Sequence, residues 1–403
     1  MKIACVGGGP ATLYLSILLK ARDPRHEITV LERRLPGSTY GWGVTCWPDL
    51  LEELNQHDPA SARAIAASSV SWSSGVAHLR GAMVTHQGDV GHAIGRHELL
   101  GILTDRAQSL GVQIEFGSHI VSATQLPEAD LVVLGDGVHS QLRDHHAKAF
   151  GTRKSQGANK YIWLGTARVF TSFTFAFIQT EHGWIWCYAY GYGPHGSTFI
   201  VECSAETWAG LALDRLDEEQ ALGLMEEIFS DLLAGSPLVG RTDAGDRSQW
   251  QTFTTVTNTS WTHENLVLIG DAAHTTHYSI GAGTSLALRD AMSLARTLHE
   301  AEYADTPTAL SNYTRERKKA ILTSQSAARH SAHWYENLTR YTNMTPHQMF
   351  SLLGQRHSPL LPHLPPRLYF QLDQALGRLE AMRWLKQRVG SKLAAALQSA
   401  HRP

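Results

Sequence analysis

Three clusters of small and acidic residues carry the chemistry that this sequence can do. The first is Gly7-x-Gly9-x-x-Thr12, enclosing Pro10 and Ala11, directly after the apolar run Ile3-Ala4-Cys5-Val6. Glycines at such a turn let the backbone approach a pyrophosphate, whose charge sits at the N-terminus of the following helix. Glu32, 20 residues beyond Thr12, ends the next apolar run and is placed to accept hydrogen bonds from a ribose, with Arg33 beside it. The fingerprint's third glycine, which allows close helix–strand contact, is Thr12 here. The second cluster is Gly135-Asp136-Gly137-x-x-Ser140-x-x-Arg143, after Leu131-Val132-Val133-Leu134. The third is Gly270-Asp271-Ala272-Ala273-His274, after Leu266-Val267-Leu268-Ile269, followed by Gly281-Ala282-Gly283-Thr284 opening a helix.

These clusters need a frame. Residues 2–6 predict a buried strand, 10–21 a helix and 28–31 a second strand, a βαβ unit of a doubly wound sheet. A helix over 97–110 and strands at 112–116 and 131–134 follow, apolar on both faces as a covered parallel sheet requires. From about residue 159 the texture changes. Segments 160–170, 173–180, 184–192 and 197–203 are rich in β-branched and aromatic residues between Gly, Pro and His-Gly turns, and predict antiparallel strands. A helix near 218–234 and a strand at 250–257 precede the return of the buried pattern at 266–269 and a long amphipathic helix over 283–303.

The expected fold is therefore α/β: a split Rossmann-like dinucleotide-binding domain interrupted by a β-rich (α+β) domain, with a helical C-terminal tail. Residues 1–70, 96–157 and 263–345 form the three parts of the first domain. Residues 71–95 and 158–262 form the second, and 346–403 the tail. In the tail Leu368, Leu372, Leu376, Leu379, Met382 and Leu385 recur every three or four residues, an apolar face expected to rest on its own domain.

Bulk properties exclude other classes. The 403 residues are 43% hydrophobic and 18% charged, an ordinary globular balance. A formal net charge of −2 offers no polybasic surface for nucleic acid. The four cysteines, Cys5, Cys46, Cys187 and Cys203, have neither metal-ligand nor disulfide spacing, and no metal site is expected among the 22 dispersed histidines. Met1 and Lys2 lead straight into the first strand without a leader, and no run of about 18 apolar residues exists for a membrane span. A cytoplasmic monomer or homodimer is expected.

The three clusters, in this order, resemble the group A flavoprotein monooxygenases, the p-hydroxybenzoate hydroxylase class. Gly41-Trp42-Gly43-Val44 and the segments 159–166, 197–208, 274–286 and 325–341 sharpen the resemblance to one subgroup. It holds salicylyl-CoA 5-hydroxylase, anthraniloyl-CoA monooxygenases and the violacein-pathway indole hydroxylase. The resemblance covers residues 1 to about 350, and 357–403 depart from the acyl-CoA enzymes. It implies FAD as cofactor, with Asp271 on the ribitol, Gly281–Thr284 pointing a helix N-terminus at the flavin and Arg96 near the FAD phosphates. Asp136 and Gly137 would stand where FAD and a transient NADH or NADPH meet. Reduced flavin in that class traps O2 as a C4a-hydroperoxide, whose distal oxygen goes to an electron-rich ring.

The implied substrate is a small aromatic molecule, CoA- or carrier-protein-tethered or indole-derived. Simple hydroxylation without later ring reduction is the expectation, because the C-terminal reductase-type domain that the resembled acyl-CoA enzymes carry has no counterpart in these 403 residues. His277-Tyr278 stand where most of the class has Pro-Pro. With His274 they are the candidates to orient or deprotonate a substrate amine or hydroxyl, while histidines bonded to backbone remain the equal alternative. Trp163, Trp184, Trp186, Tyr188, Tyr190 and Phe199 are expected around an aromatic pocket, although alternation turns only some of them inward. A flavin halogenase, an FAD-dependent reductase and a flavin binder without turnover stay open as alternatives.

Overall fold

The computed structural model describes residues 1–38, 41–240, 250–301 and 305–376. In chain order its strands begin with β1 (Lys2–Val6), β2 (Glu27–Glu32), β3 (Gly43–Cys46), β4 (Val70–Leu79) and β5 (Ala82–Gly95). Next come β6 (Gln113–Phe116), β7 (Leu131–Leu134), β8 (Arg153–Thr166), β9 (Phe173–Thr180) and β10 (Gly183–Gly193). The last are β11 (Gly196–Cys203), β12 (Leu238–Val239), β13 (Gln251–Thr257), β14 (Thr262–His263) and β15 (Leu266–Leu268).

The first sheet runs β14-β15-β7-β1-β2-β6. Every pairing in it is parallel except that of the edge strand β14. Its centre is dry: all four residues of β7 and all three of β15 are buried. Helices Pro10–Arg22, Arg96–Ser109 and Gly283–Glu300 complete this core through residues such as Leu15, Leu103 and Leu294. Pro10 occupies the first helical turn, where its missing N–H costs nothing.

The second sheet is ordered β12-β8-β11-β10-β9-β4-β5-β3, with β13 also on β8. Strand β10 sorts its side chains with the period of two that a pleat imposes. Ile185, Cys187 and Ala189 join the cluster of Leu164, Phe199 and Phe229, over which helix Glu218–Ile228 lies. Trp186 and Tyr188 point the other way, into a cluster with Trp334 and Tyr335 of helix Leu322–Glu336. So Phe199 faces away from the side that Tyr188 faces.

The second sheet reaches further than the texture of the sequence implies. Gly43–Cys46 pairs with the end of β5, and β8 begins at Arg153 rather than near 160. Both stretches are Gly- or charge-containing, so local composition hides their pairing. The expected helix over 218–234 is two pieces, Glu218–Ile228 and Ser230–Leu233. All four cysteines are buried thiols.

Residues 366–376 are helical. Leu368, Leu372 and Leu376 of the expected apolar face are exposed, while Tyr369 and Phe370 rest against the cluster of Trp334 and Leu352. Leu379, Met382 and Leu385 lie outside the described residues. Among the described residues no helix is long and apolar enough to cross a membrane.

Candidate functional site

The turn after β1 is built for close approach. Gly7 has φ +95°, and a Cβ there would stand 2.7 Å from the Gly135 carbonyl oxygen. Glu32 is held from behind: its carboxylate accepts from the N–H of Gly8 and, at 2.8 Å, from the N–H of Arg34. Thr12 answers the missing third glycine. Its side chain is fully buried, its hydroxyl donates to the carbonyls of Gly7 and Gly9, and its methyl lies 2.4 Å from where a Cβ on Gly135 would be. The close contact is therefore kept, with the glycine moved from the helix to the end of the neighbouring strand.

The second and third clusters meet the first at the carboxyl ends of β1, β7 and β15, where an open α/β sheet binds its ligands. One continuous cavity of about 1490 Å³ is lined there by Gly7, Gly9, Pro10, Ala11, Glu32 and Arg33. Arg96, Asp136, Gly137, Gly270, Asp271, Gly281, Gly283 and Thr284 line the same space. It exceeds the roughly 300–1,000 Å³ of an ordinary ligand pocket, leaving room for a dinucleotide and a second molecule. Of the expected cofactor contacts, Thr12 and Ala282 stand outside the lining, Thr12 beneath the turn and Ala282 as N-cap of helix Gly283–Glu300.

Electrostatics favour a polar, anionic guest. Neither helix Pro10–Arg22 nor helix Gly283–Glu300 has a capping side chain or an acid in its first turn, so their leading N–H groups and positive ends serve the cavity. Burial pushes the Asp136 carboxyl above its ordinary range, only partly offset by Ser140 and Arg143. The depth of the cavity raises Asp271 likewise, against the pull of His274 and Arg96.

Beyond these turns the wall becomes aromatic, with Tyr161, Trp163, Tyr190, Phe253 and Tyr278 lining the cavity. The Tyr161 and Tyr278 rings lie 4.4 Å apart between centroids. Behind them is a carboxylate that the motifs do not announce. Glu202 of β11 is fully buried, accepting from the Tyr188 hydroxyl at 2.6 Å and the Asn159 amide at 2.7 Å. Burial raises it above the ordinary glutamate range, and hydrogen bonds from Tyr188, Asn159 and Tyr278 counter this. A lone charged residue, Glu202, in the otherwise uncharged strand 197–203 was the available signal.

The two candidate histidines do not line the cavity. His274 turns inward: its Nε2 is 2.9 Å from Asp290 Oδ2, and its ring stacks on Trp261. Asp290 also accepts from Arg317 and from the Gly270 N–H, so this buried group fixes the turn that carries Asp271. Burial pushes Asp290 up, yet His274 and Arg317 hold it below its ordinary value. His277 lies behind Phe253 and Tyr278, its Nδ1 2.8 Å from Ser279 Oγ. Burial, with the nearby Arg356 cation, pushes it down to about 3. Of the three catalytic candidates only Tyr278 reaches the cavity.

Comparison with known proteins gives this geometry its family. Residues 125–324 match the family model described as "FAD binding domain". The chain is 36% identical over 349 residues to salicyloyl-CoA 5-hydroxylase of Streptomyces sp, covering 85% of this chain and 66% of that protein. It is 34% identical over 339 residues to 3-hydroxy-4-methyl-anthranilyl-[aryl-carrier protein] 5-monooxygenase of Streptosporangium sibiricum, covering 84% of this chain and 90% of that one. The chain belongs to the FAD-dependent aromatic monooxygenases.

Protodeoxyviolaceinate monooxygenase of Chromobacterium violaceum is 29% identical over 393 residues, 94% of this chain and all of that one. In fold, 2-methyl-3-hydroxypyridine-5-carboxylic acid oxygenase superposes with a TM-score of 0.69 at 20% identity, over 86% of this chain and 94% of its own. The family's cofactor is FAD, and the cavity of this monooxygenase fits it. Asp136 Oδ1 is buried without a partner among the described residues, and space beside Gly137 and Gly283 is open where a Cβ would be. A flavin's polar groups would complete both.

Proposed function

We propose that this monooxygenase inserts one oxygen atom of O2 into an electron-rich aromatic ring of the salicyl or anthraniloyl kind, carried as an acyl thioester. NADH or NADPH serves as transient reductant. FAD, held by Gly7, Gly9, Glu32, Arg96, Asp136, Asp271 and the Gly283 helix end, supplies the redox and oxygen-transfer chemistry. The observation that carries the reading is the meeting, in one cavity, of that dinucleotide cradle with the aromatic wall of Tyr161, Trp163 and Tyr278. The relatives' named substrates, one joined to CoA and one to a carrier protein, support the thioester form.

The chain's own residues do three things. The wall excludes water, so that oxygen goes to the ring rather than being lost as peroxide. The positive helix end at Gly283 favours negative charge on the neighbouring ring system. Tyr278, hydrogen-bonded to the buried Glu202, orients the polar substituent of the substrate ring.

A second reading, an indole-derived substrate, is favoured by the relative from Chromobacterium violaceum, whose alignment runs through nearly the whole chain. A stopped-flow survey of flavin reduction separates the two, using salicylate, anthranilate, their CoA thioesters and tryptophan. Thioesters alone should accelerate reduction, and labelled O2 should place one heavy atom in the product. Acceleration by the indole alone selects the second reading. Label arriving only from water would remove both.

A further inference from the structure

The turn that carries Tyr278 and Gly281 into the cavity is tied to a residue well outside the three motif clusters. Arg356 follows helix Pro346–Gly354, beyond the stretch 125–324 matched by the FAD-binding family model. Its three guanidinium nitrogens have separate acceptors. Nε donates to Ser331 Oγ at 3.1 Å, one terminal nitrogen to the Ser279 carbonyl at 2.9 Å and the other to the Leu353 carbonyl at 2.8 Å. The guanidinium also lies 5.8 Å from the centre of the Phe175 ring. From Ser331 the contacts run on: Ser331 Oγ is 2.7 Å from Ser279 Oγ, which is 2.8 Å from His277 Nδ1. Ser279 and Ser331 are buried.

Arginine can only donate, so Ser331 Oγ accepts from it and keeps its one proton to give to Ser279 Oγ, 2.7 Å away. Ser279 Oγ then donates to His277 Nδ1, which also accepts from the Ser279 N–H at 3.4 Å. A nitrogen that accepts twice carries no proton, so the His277 proton sits on Nε2. Without the arginine both serine hydroxyls are free to reverse, and only the long 3.4 Å contact from the Ser279 N–H is left to favour that tautomer.

We propose that Arg356 is a positioning residue for oxygen transfer, setting through Ser331 and Ser279 the tautomer of His277 and the placement of the turn from His277 to Gly281. Tyr278 lies in that turn, its ring tilted 40° against that of Tyr161, and the Gly281 carbonyl accepts from Thr45 Oγ1 at 2.9 Å. A displaced turn opens the aromatic wall to water without disturbing Gly7, Glu32 or Asp136. FAD should therefore stay bound while oxygen transfer loses efficiency.

The test compares FAD-loaded wild-type protein with Arg356→Met and Arg356→Lys. One readout is the nitrogen-15 shifts of the His277 ring, assigned by their loss in His277→Gln. Hydrogen exchange of the 277–283 backbone is the second. The third is hydroxylated product per NAD(P)H consumed with the salicyl and anthraniloyl thioesters. Arg356→Met should keep stoichiometric FAD, show a mixed tautomer and exchange about tenfold faster over 277–283, the scale of one lost charge-assisted hydrogen bond. Its product yield should fall, with peroxide making up the difference. Arg356→Lys, still a donor, should restore the Nε2–H tautomer. A wild-type tautomer and wild-type exchange in Arg356→Met would overturn the proposal, as would equal loss of FAD and of global stability in both variants. The product readout rests on the hydroxylase reading. If wild type hydroxylates none of the thioesters, that reading falls, while tautomer and exchange still decide the role of Arg356.

Discussion

Glu202 shows how much of this site is set by single side chains buried behind its visible surface. Its carboxylate gathers Tyr188, Tyr278 and Asn159, and the Trp186 Nε1–H donates in turn to the Tyr188 hydroxyl at 3.1 Å. Replacement by leucine should cost about 1–3 kcal/mol for each donor left unpaired in this apolar layer. Glu202→Gln keeps the shape and removes the titration. Because burial raises the folded-state value of Glu202 above its ordinary 4.5, the protonated acid contributes stability that is fully present below that pH. That contribution is lost as pH rises through the folded value. Denaturant unfolding of wild type and Glu202→Gln should show the wild type's advantage shrinking from about pH 4.5 towards neutrality. An advantage that grows with pH would place Glu202 below its ordinary value and contradict the burial argument.

At the scale of elements, helix Pro10–Arg22 meets β7 through one interlocked pair. Gly135→Ala would drive a Cβ to 2.4 Å from the Thr12 methyl and 3.0 Å from the Ile269 Cγ2. Overpacking of this kind costs about 1–3 kcal/mol. Thr12→Gly in the same chain should recover part of it, so the double-mutant cycle is predicted to show coupling, whereas strictly additive losses would mean that the two do not share one space. This pair also marks the boundary of what the sequence discloses. The strand–glycine–helix units are legible because a glycine turn and a run apolar on both faces are local signals. The departure at Thr12 is legible too, but its remedy at Gly135 lies on another strand and has no local trace.

The same distinction separates the histidines from the turns around them. His274 follows Asp271 closely enough to be read as a flank of the cavity. Its direction is decided by Trp261 and Asp290, which reach it from other elements and draw the ring inward. The pairing of β3 with β5 and the reach of Arg356 to Ser279 are long-range in the same way. Tyr278 reaches the cavity, and the resemblance singles it out, as one of two residues standing where most of the class has Pro-Pro.

For the whole molecule, the cavity joins the two sheets, so FAD binding and folding are linked. The cradle comes from the ends of β1, β7 and β15, while Thr45, Trp163 and Tyr190 of the second sheet line the same space. A ligand that binds only the folded chain stabilises it by RT ln(1 + [L]/Kd), about 2.7 kcal/mol at a hundredfold excess over Kd. Calorimetry of apoprotein titrated with FAD should therefore move one cooperative transition upward by several degrees. Asp271→Ala removes a carboxylate from the cradle while leaving the Asp290 group that shapes its turn in place. The variant should fold with the wild-type apoprotein's transition temperature, bind FAD about 10–100-fold more weakly, and show a correspondingly smaller shift at the same FAD concentration. If FAD moved only one of two separate transitions, the sheets would not share the cofactor. If Asp271→Ala kept the full shift, the flavin would rest on other groups than the third cluster supplies.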